Sequence, residues 1–81
     1  ESIVSNGCTI RGTVERSVIG RGVVIEAGAV VRGCVILPGV YIGAGVHMEN
    51  AVVDKKASII HRKEIKGLPD APLYIRRRDR I

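Results

Sequence analysis

The densest group of reactive side chains in this 81-residue chain is a run of arginines near its carboxyl end. Arg76, Arg77 and Arg78 are consecutive, and Arg80 follows Asp79. The first interpretation of the run is a solvated chain end, and the second is a site for an anionic, phosphorylated effector, because guanidinium groups bind phosphate through paired N–H donors. Nucleic acid binding is the weakest interpretation, because no aromatic side chains that could stack on bases lie between the arginines.

The histidines and cysteines predict neither catalysis nor metal binding. His47 and His61 have no cysteine or carboxylate partner in ligand spacing, which predicts no metal site. His47 is the middle residue of a short β triplet and should point outward, which favours a solvated side chain over a general base. Cys8 and Cys34 occupy small inward positions on different faces and should be buried structural thiols.

Two glycine-rich stretches, Gly20–Gly22 and Gly43–Gly45, could be taken for phosphate-binding loops. Neither opens a helix, and turn geometry accounts for both. The sequence also contains no P-loop and no carboxylate pair in a cleft-forming segment. We therefore expect no catalytic residue and no cofactor in this part of the protein.

Composition restricts the fold to a narrow interior. Hydrophobic residues make up 46% of the chain, but it has no Phe or Trp, two Tyr and ten Gly, which argues against a helix bundle. No apolar run reaches the roughly 18 residues of a membrane span. Residues 61–81 carry seven Lys or Arg against three acids, so most of the net charge of +5 lies there. Because the single methionine is Met48, we interpret the chain as a piece of a longer, cytoplasmic protein.

Short triplets of residues recur every 17 positions. Ser17–Ile19 is followed by Cys34–Ile36 and Ala51–Val53, and other triplets repeat with the same spacing. In each triplet a small or medium residue precedes a larger aliphatic one by two positions, so both point to one side of a strand. These inward pairs, none of them charged, are Ser2/Val4, Cys8/Ile10, Ser17/Ile19, Val23/Ile25, Ala29/Val31, Cys34/Ile36, Val40/Ile42, Val46/Met48, Ala51/Val53 and Ala57/Ile59.

The residues between the triplets are rich in glycine and charge and should form corners. Three strands and three corners occupy 17 residues, so each repeat should close one turn of a three-sided prism. We predict an all-β fold, a parallel β-helix of about three coils over residues 1–60, followed by an extended basic tail over residues 61–81. The first repeat is 15 residues long, so its corner at Arg11 should be tight.

The middle residue of each triplet should point outward, and one outer face is apolar throughout. Ile3, Val18, Val35 and Val52 would stack about 4.8 Å apart as an apolar row. Soluble proteins seldom expose such a row, so it predicts an interface with another domain or subunit. The alternative is that residues 61–75 fold back over it.

The stretch from Ser17 to Val31 resembles the hexapeptide repeat, which implies a left-handed coil, an exception to the usual handedness of parallel crossovers. Most of the chain is similar to the C-terminal β-helix of bacterial glucose-1-phosphate adenylyltransferase (ADP-glucose pyrophosphorylase). That similarity rests on Ser2–Ile19, Cys34–Gly39 and Glu49–Lys55. The ending from Gly67 to Arg76 looks most like the regulatory homologue subunit of that enzyme.

The resemblance implies that the parent protein makes ADP-glucose from ATP and glucose 1-phosphate for glycogen synthesis. The catalytic motifs of that family lie in an N-terminal nucleotidyltransferase domain and do not occur here. This segment would then serve homo- or hetero-oligomerisation and couple effector binding to the catalytic domain, in a subunit that is either catalytic or regulatory. The alternative is a fragment of a hexapeptide-repeat acyltransferase, which uses acetyl-CoA and a histidine general base.

Overall fold

The computed structural model describes residues 2–81, which form thirteen short strands and contain no helix, hence none that could span a membrane. Each strand has only two or three residues, because a corner follows every triplet. The strands are β1 Ile3–Val4, β2 Thr9–Ile10, β3 Thr13–Glu15, β4 Val18–Ile19, β5 Val24–Ile25, β6 Val30–Arg32, β7 Val35–Ile36, β8 Tyr41–Ile42, β9 His47–Glu49, β10 Ala51–Val53, β11 Ser58–Ile59, β12 Glu64–Lys66 and β13 Leu73–Ile75.

Every third strand joins the same parallel sheet, and the three sheets form the faces of a prism. Face 1 has the order β1-β4-β7-β10-β13, face 2 has β2-β5-β8-β11 and face 3 has β3-β6-β9-β12. Pairing joins residues 17 positions apart, as in Val18 with Val35 and Val24 with Tyr41. The prediction of an all-β parallel β-helix is confirmed, and the left-handed sense of the coil stays a prediction.

The core is a column of stacked aliphatic side chains inside the prism. Every predicted inward residue from Ser17 to Ile59 is buried. Ser17 is the one buried polar residue within residues 2–81, and its hydroxyl donates to the Glu15 carbonyl oxygen at 2.8 Å. The same hydroxyl accepts from the Cys34 amide at 3.0 Å, so the serine binds the corner of the next coil and carries no unsatisfied group.

The first coil is less well covered than the others. Val4 is 47% exposed, and Cys8 and Ile10 are half-buried, because this coil has a neighbour on one side only. The corner between β2 and β3 is two residues shorter than the matching corners of later coils. Thr9 pairs with a residue 15 positions ahead, whereas Thr13, after the corner, pairs with one 17 positions ahead. The predicted tight corner is confirmed.

Gly12 is what allows that tight corner. A Cβ atom added at Gly12 would overlap the carbonyl oxygen of Ala29 in the coil above. No other residue type fits there without moving the backbone of one of the two coils.

Residues 61–81 differ from the expected extended tail, because two of their segments are strands of the prism. Glu64–Lys66 pairs with β9, and Leu73–Ile75 pairs with β10. Ile65 and Ile75 are buried, and Ile81 lies partly buried against the core. The parallel β-helix therefore has about four turns.

A loop between β12 and β13 interrupts the 17-residue spacing. Val52 pairs with Tyr74, 22 positions ahead, so the last coil carries five extra residues. The loop is closed by an antiparallel bridge in which the Leu68 and Ala71 amides donate to each other's carbonyl oxygens at 3.2 and 3.1 Å.

A ladder of opposite charges runs up the edge between faces 3 and 1. Glu15, Arg32, Glu49 and Lys66 follow one another in register on successive coils. The Arg32 guanidinium lies 2.9 Å from a Glu15 carboxylate oxygen and 3.9 Å from one of Glu49. A shift of one residue between neighbouring coils would separate these opposite charges, so the ladder favours the observed register.

A second polar cluster joins coils at the edge between faces 2 and 3. Arg11 Nη1 donates to Glu26 Oε1 at 2.9 Å, and the Tyr41 hydroxyl donates to Glu26 Oε2 at 3.0 Å. The hydrogen bond from Tyr41, followed by that from Arg11, holds the pKa of the Glu26 carboxyl below its ordinary value, and Glu26 in turn raises the pKa of Tyr41.

The inward register can be tested by moving one charge across a single strand. Ile25 is fully buried, so Ile25→Asp places an unpaired carboxylate in the core and should lower the free energy of unfolding by about 3 kcal/mol or more. Val24→Asp puts the same group on the outer side of the same strand and should lower it far less. Equal losses for the two variants in urea titrations would show that the assigned register is wrong.

The Glu26 cluster predicts a dependence of stability on acid. Because folding lowers the pKa of Glu26, its contribution is complete above the ordinary value of 4.5 and disappears as pH falls through the folded value. Glu26→Gln should therefore lower Tm at pH 7, and the difference from the unmodified protein should shrink between pH 5 and pH 3. A difference that stays constant across that range would contradict the assigned contacts.

Candidate functional site

Successive corners between faces 1 and 2 stack directly on one another. The Gly39 amide donates to the Arg21 carbonyl oxygen at 2.9 Å, and the Lys56 amide donates to that of Pro38 at 3.0 Å. In the last coil the Arg78 amide donates to the Lys55 carbonyl oxygen at 2.9 Å. This stacking gathers the cations along one edge of the prism, here called the basic edge: Arg21, Lys55, Lys56, Arg76, Arg77 and Arg78.

Two of these cations occupy backbone positions that suit glycine. Lys56 has φ 59° and Arg78 has φ 60°, whereas the matching position of the three earlier coils is Gly7, Gly22 or Gly39. The left-handed conformation costs a residue with a Cβ atom about 1 kcal/mol. Lys56 and Arg78 therefore hold a conformation that disfavours a Cβ atom, as do Arg16 and Asn50 at the edge between faces 3 and 1.

The cations of the basic edge form no ion pair within residues 2–81. The salt bridges of that range join Arg11 to Glu26 and Arg32 to Glu15 and Glu49, all on the other two edges. Asp54 is next to Lys55, but its carboxylate accepts from the Lys55 amide at 2.7 Å and from the Tyr74 hydroxyl. The basic edge consequently keeps a concentrated positive charge.

Face 1 presents the predicted apolar row to solvent. Ile3, Val18 and Val35 are 67%, 45% and 38% exposed, and Val52 is half-buried. Residues 61–75 do not cover the row; instead β13 lengthens it with Tyr74, which is 57% exposed and stacks on Val52. An open pocket of about 360 Å³ lies at the other end of the row, lined by Ser2, Ile3, Arg16, Ser17 and Val18.

Tyr74 connects the apolar row to the basic edge. Its ring continues the row, while its hydroxyl donates to the carboxylate of Asp54 beside Lys55. The Tyr74 hydrogen bond lowers the pKa of Asp54, with a smaller effect from the Lys55 amide, and Asp54 raises the pKa of Tyr74. The periodic pattern of the sequence does not place Tyr74 on this face, because the five-residue insertion separates it from the repeat.

The remaining candidate residues lie apart from one another. Arg76, Arg77 and Arg78 are all exposed at the carboxyl end of the basic edge. His47 is exposed on face 3, and His61 is exposed at the corner between β11 and β12. Within residues 2–81 no group of three or more His, Cys, Asp or Glu side chains is arranged to hold a metal ion.

The cysteines lie in the interior, as their positions predicted, but to different degrees. Cys34 is buried, and burial raises the pKa of its thiol above the ordinary value. Cys8 is only half-buried in the first coil, and its thiol donates to the Gly20 carbonyl oxygen at 2.9 Å. Both thiols are therefore part of the packing inside the prism.

Comparison with known proteins places this architecture in a family. Residues 1–70 match the family described as GlmU-like, C-terminal hexapeptide. Glucose-1-phosphate adenylyltransferase of Corynebacterium jeikeium is 51% identical over 59 residues, which cover 72% of this chain and 15% of the relative. The enzyme of the same name from Bacillus thuringiensis is 41% identical over 59 residues, covering 73% of this chain and 16% of the relative.

These matches cover a small part of the relatives. The chain spans 15–16% of the length of the curated relatives it matches. No solved structure matches it. Since the family match covers most of the sequence and the strands stack as coils of three, this chain belongs to the hexapeptide-repeat family of the GlmU-like C-terminal type.

Proposed function

We propose that this chain is the C-terminal β-helix of a glucose-1-phosphate adenylyltransferase subunit, in which it serves assembly and effector coupling. The observation that carries the proposal is the 51% identity to the Corynebacterium jeikeium enzyme over 59 residues. The parent subunit would then belong to an assembly that forms ADP-glucose from ATP and glucose 1-phosphate for glycogen synthesis. Adenylyl transfer belongs to the rest of that assembly, and this part supplies binding surfaces.

The effector role is assigned to Arg76, Arg77 and Arg78. They follow β13 at the end of the basic edge, where Arg77 and Arg78 stack on the corner formed by Lys55 and Lys56. Several unpaired guanidinium and ammonium groups on one edge suit a phosphorylated ligand, because the anion relieves their mutual repulsion and accepts paired hydrogen bonds. A sugar phosphate is the ligand class that this charge supports best.

The assembly role is assigned to the apolar row of Ile3, Val18, Val35 and Val52. Each residue lies on the outer side of a strand, so a contact there leaves the core column intact. Burial of exposed aliphatic side chains is the main favourable term in the association of protein surfaces. The row is therefore proposed as an interface with the nucleotidyltransferase domain or with another subunit.

The effector assignment predicts a specific loss of regulation in the full-length assembly. Replacing Arg76, Arg77 and Arg78 together with alanine should raise the concentration of an activating sugar phosphate needed for half-maximal activation about tenfold or more, since one charge-assisted hydrogen bond contributes about 1.5–3 kcal/mol. The measurement is the rate of ADP-glucose formation against effector concentration.

The matched control removes three exposed cations that lie off the basic edge, through Arg62→Ala, Lys66→Ala and Arg80→Ala. This control should keep the activation constant of the unmodified enzyme. Equal activation constants in both triple variants would contradict the effector site. A parent protein that forms no ADP-glucose, even when assembled with its partner subunits, would contradict the proposed function itself.

A further inference from the structure

We propose that the apolar row, Tyr74 and the cations Arg21, Lys55 and Lys56 form one docking surface for an acidic, aliphatic face on the rest of the parent subunit. The inference rests on the proposed function, which treats this chain as one domain of a longer subunit and the apolar row as an interface. It adds the chemistry of the partner surface, which carries a row of apolar side chains flanked on one side by carboxylates.

The two halves of the surface are physically continuous. The apolar row ends at Val52, Tyr74 stacks on it in the last coil, and the Tyr74 hydroxyl reaches Asp54 next to Lys55. At the adjoining corner the stem of Lys56 lies against Gly39, since a Cβ atom at Gly39 would be 3.1 Å from Lys56 Cγ. A partner that covers the row therefore borders on the corner that carries Lys55 and Lys56.

The charge expected on the partner surface follows from which cations of this chain already have an ion-pair partner. On the other two edges Arg32 is paired with Glu15 and Glu49, and Arg11 is paired with Glu26. The basic edge has no such partner within residues 2–81, and Lys56 holds a strained backbone conformation there. Carboxylates on the facing surface would neutralise these cations and give the contact its orientation.

A second copy of this chain fits the surface poorly. The edge that would lie opposite in a symmetric contact alternates in sign, Glu15, Arg32, Glu49 and Lys66, and offers no row of carboxylates. The row and Tyr74 span five strands, about 19 Å in length and one residue in width, whereas a stable dimer buries about 800 Å² per partner.

A tethered domain needs less contact area than a free partner. A covalent connection raises the effective concentration of the two surfaces to the millimolar range, so a small patch can keep them together. The chain spans 15–16% of its relatives, so a longer subunit offers abundant sequence for the facing surface. A free phosphorylated ligand, in contrast, would not bury the exposed row of aliphatic side chains.

Hydroxyl-radical footprinting of Tyr74 in the full-length subunit tests the proposal. Tyr74 should be protected in the unmodified subunit at low salt, although it is 57% exposed in this domain alone. Lys55→Glu with Lys56→Glu should raise its oxidation rate roughly threefold, and so should Val18→Lys with Val35→Lys, because each pair disrupts one half of the surface. If the glutamate pair lowers Tm, Lys55→Gln with Lys56→Gln is measured in its place.

The control is Arg62→Glu with Arg80→Glu, which makes the same change of charge at exposed positions away from the docking surface. It should leave the Tyr74 oxidation rate unchanged. An exposed Tyr74 in the unmodified subunit, or equal rates in the control and the Lys55/Lys56 variant, would overturn the proposal. So would protection that disappears on dilution, since that result indicates a second copy as the partner.

ADP-glucose formation is measured on the same preparations, so the two proposals are judged separately. A subunit that protects Tyr74 but makes no ADP-glucose when assembled contradicts the proposed function and supports the docking surface. A regulated, active enzyme with an exposed Tyr74 contradicts the docking surface alone.

Discussion

The fold depends on stacking aliphatic side chains of matched size at the same height inside a narrow prism. Ile19, Ile36 and Val53 illustrate the constraint, because they follow one another in register on face 1 and all are buried. Burying a Val or Ile side chain contributes about 1.5–3 kcal/mol, and ordering each residue opposes it by about 1–2 kcal/mol of backbone entropy. A coil out of register would lose its stabilisation while keeping that entropy loss, so one register is strongly favoured.

The same constraint leaves the outer surface free to differ from face to face. The edge between faces 3 and 1 carries alternating charges, and the edge between faces 2 and 3 carries the cluster around Glu26. These contacts join neighbouring coils and pair Arg11 and Arg32 with the carboxylates beside them. The edge between faces 1 and 2 carries a run of cations with no ion pair among the described residues, beside the face with the exposed apolar row. Residues that stabilise the fold thus lie on the inner side of each short strand, and residues available for binding lie on its outer side.

Most of the interior could be predicted from the sequence, because a period of two within each triplet and of 17 between them determines which side chains meet. That reasoning identified Ser17 as an inward residue, the short corner before Thr13 and the apolar row. It failed for residues 61–81, because the loop around Leu68 and Ala71 lengthens the spacing between paired residues from 17 to 22. The 17-residue repeat therefore does not predict β13. Periodicity also says nothing about φ angles or side-chain partners, so the strained Lys56 and the contact of Tyr74 with Asp54 emerge only from the structure.

Cross-linking of outward positions tests the stacked register most directly. In a background of Cys8→Ala and Cys34→Ala, the pair Val18→Cys and Val35→Cys places thiols on adjacent coils, about 4.8 Å apart at their Cα atoms and within reach of a disulfide. The pair Val18→Cys and Val52→Cys spans two coils, beyond that reach. Mild oxidation followed by mass spectrometry should show an intramolecular disulfide in the first variant and not in the second. A disulfide that forms as readily between positions 18 and 52 as between 18 and 35 would contradict the stack.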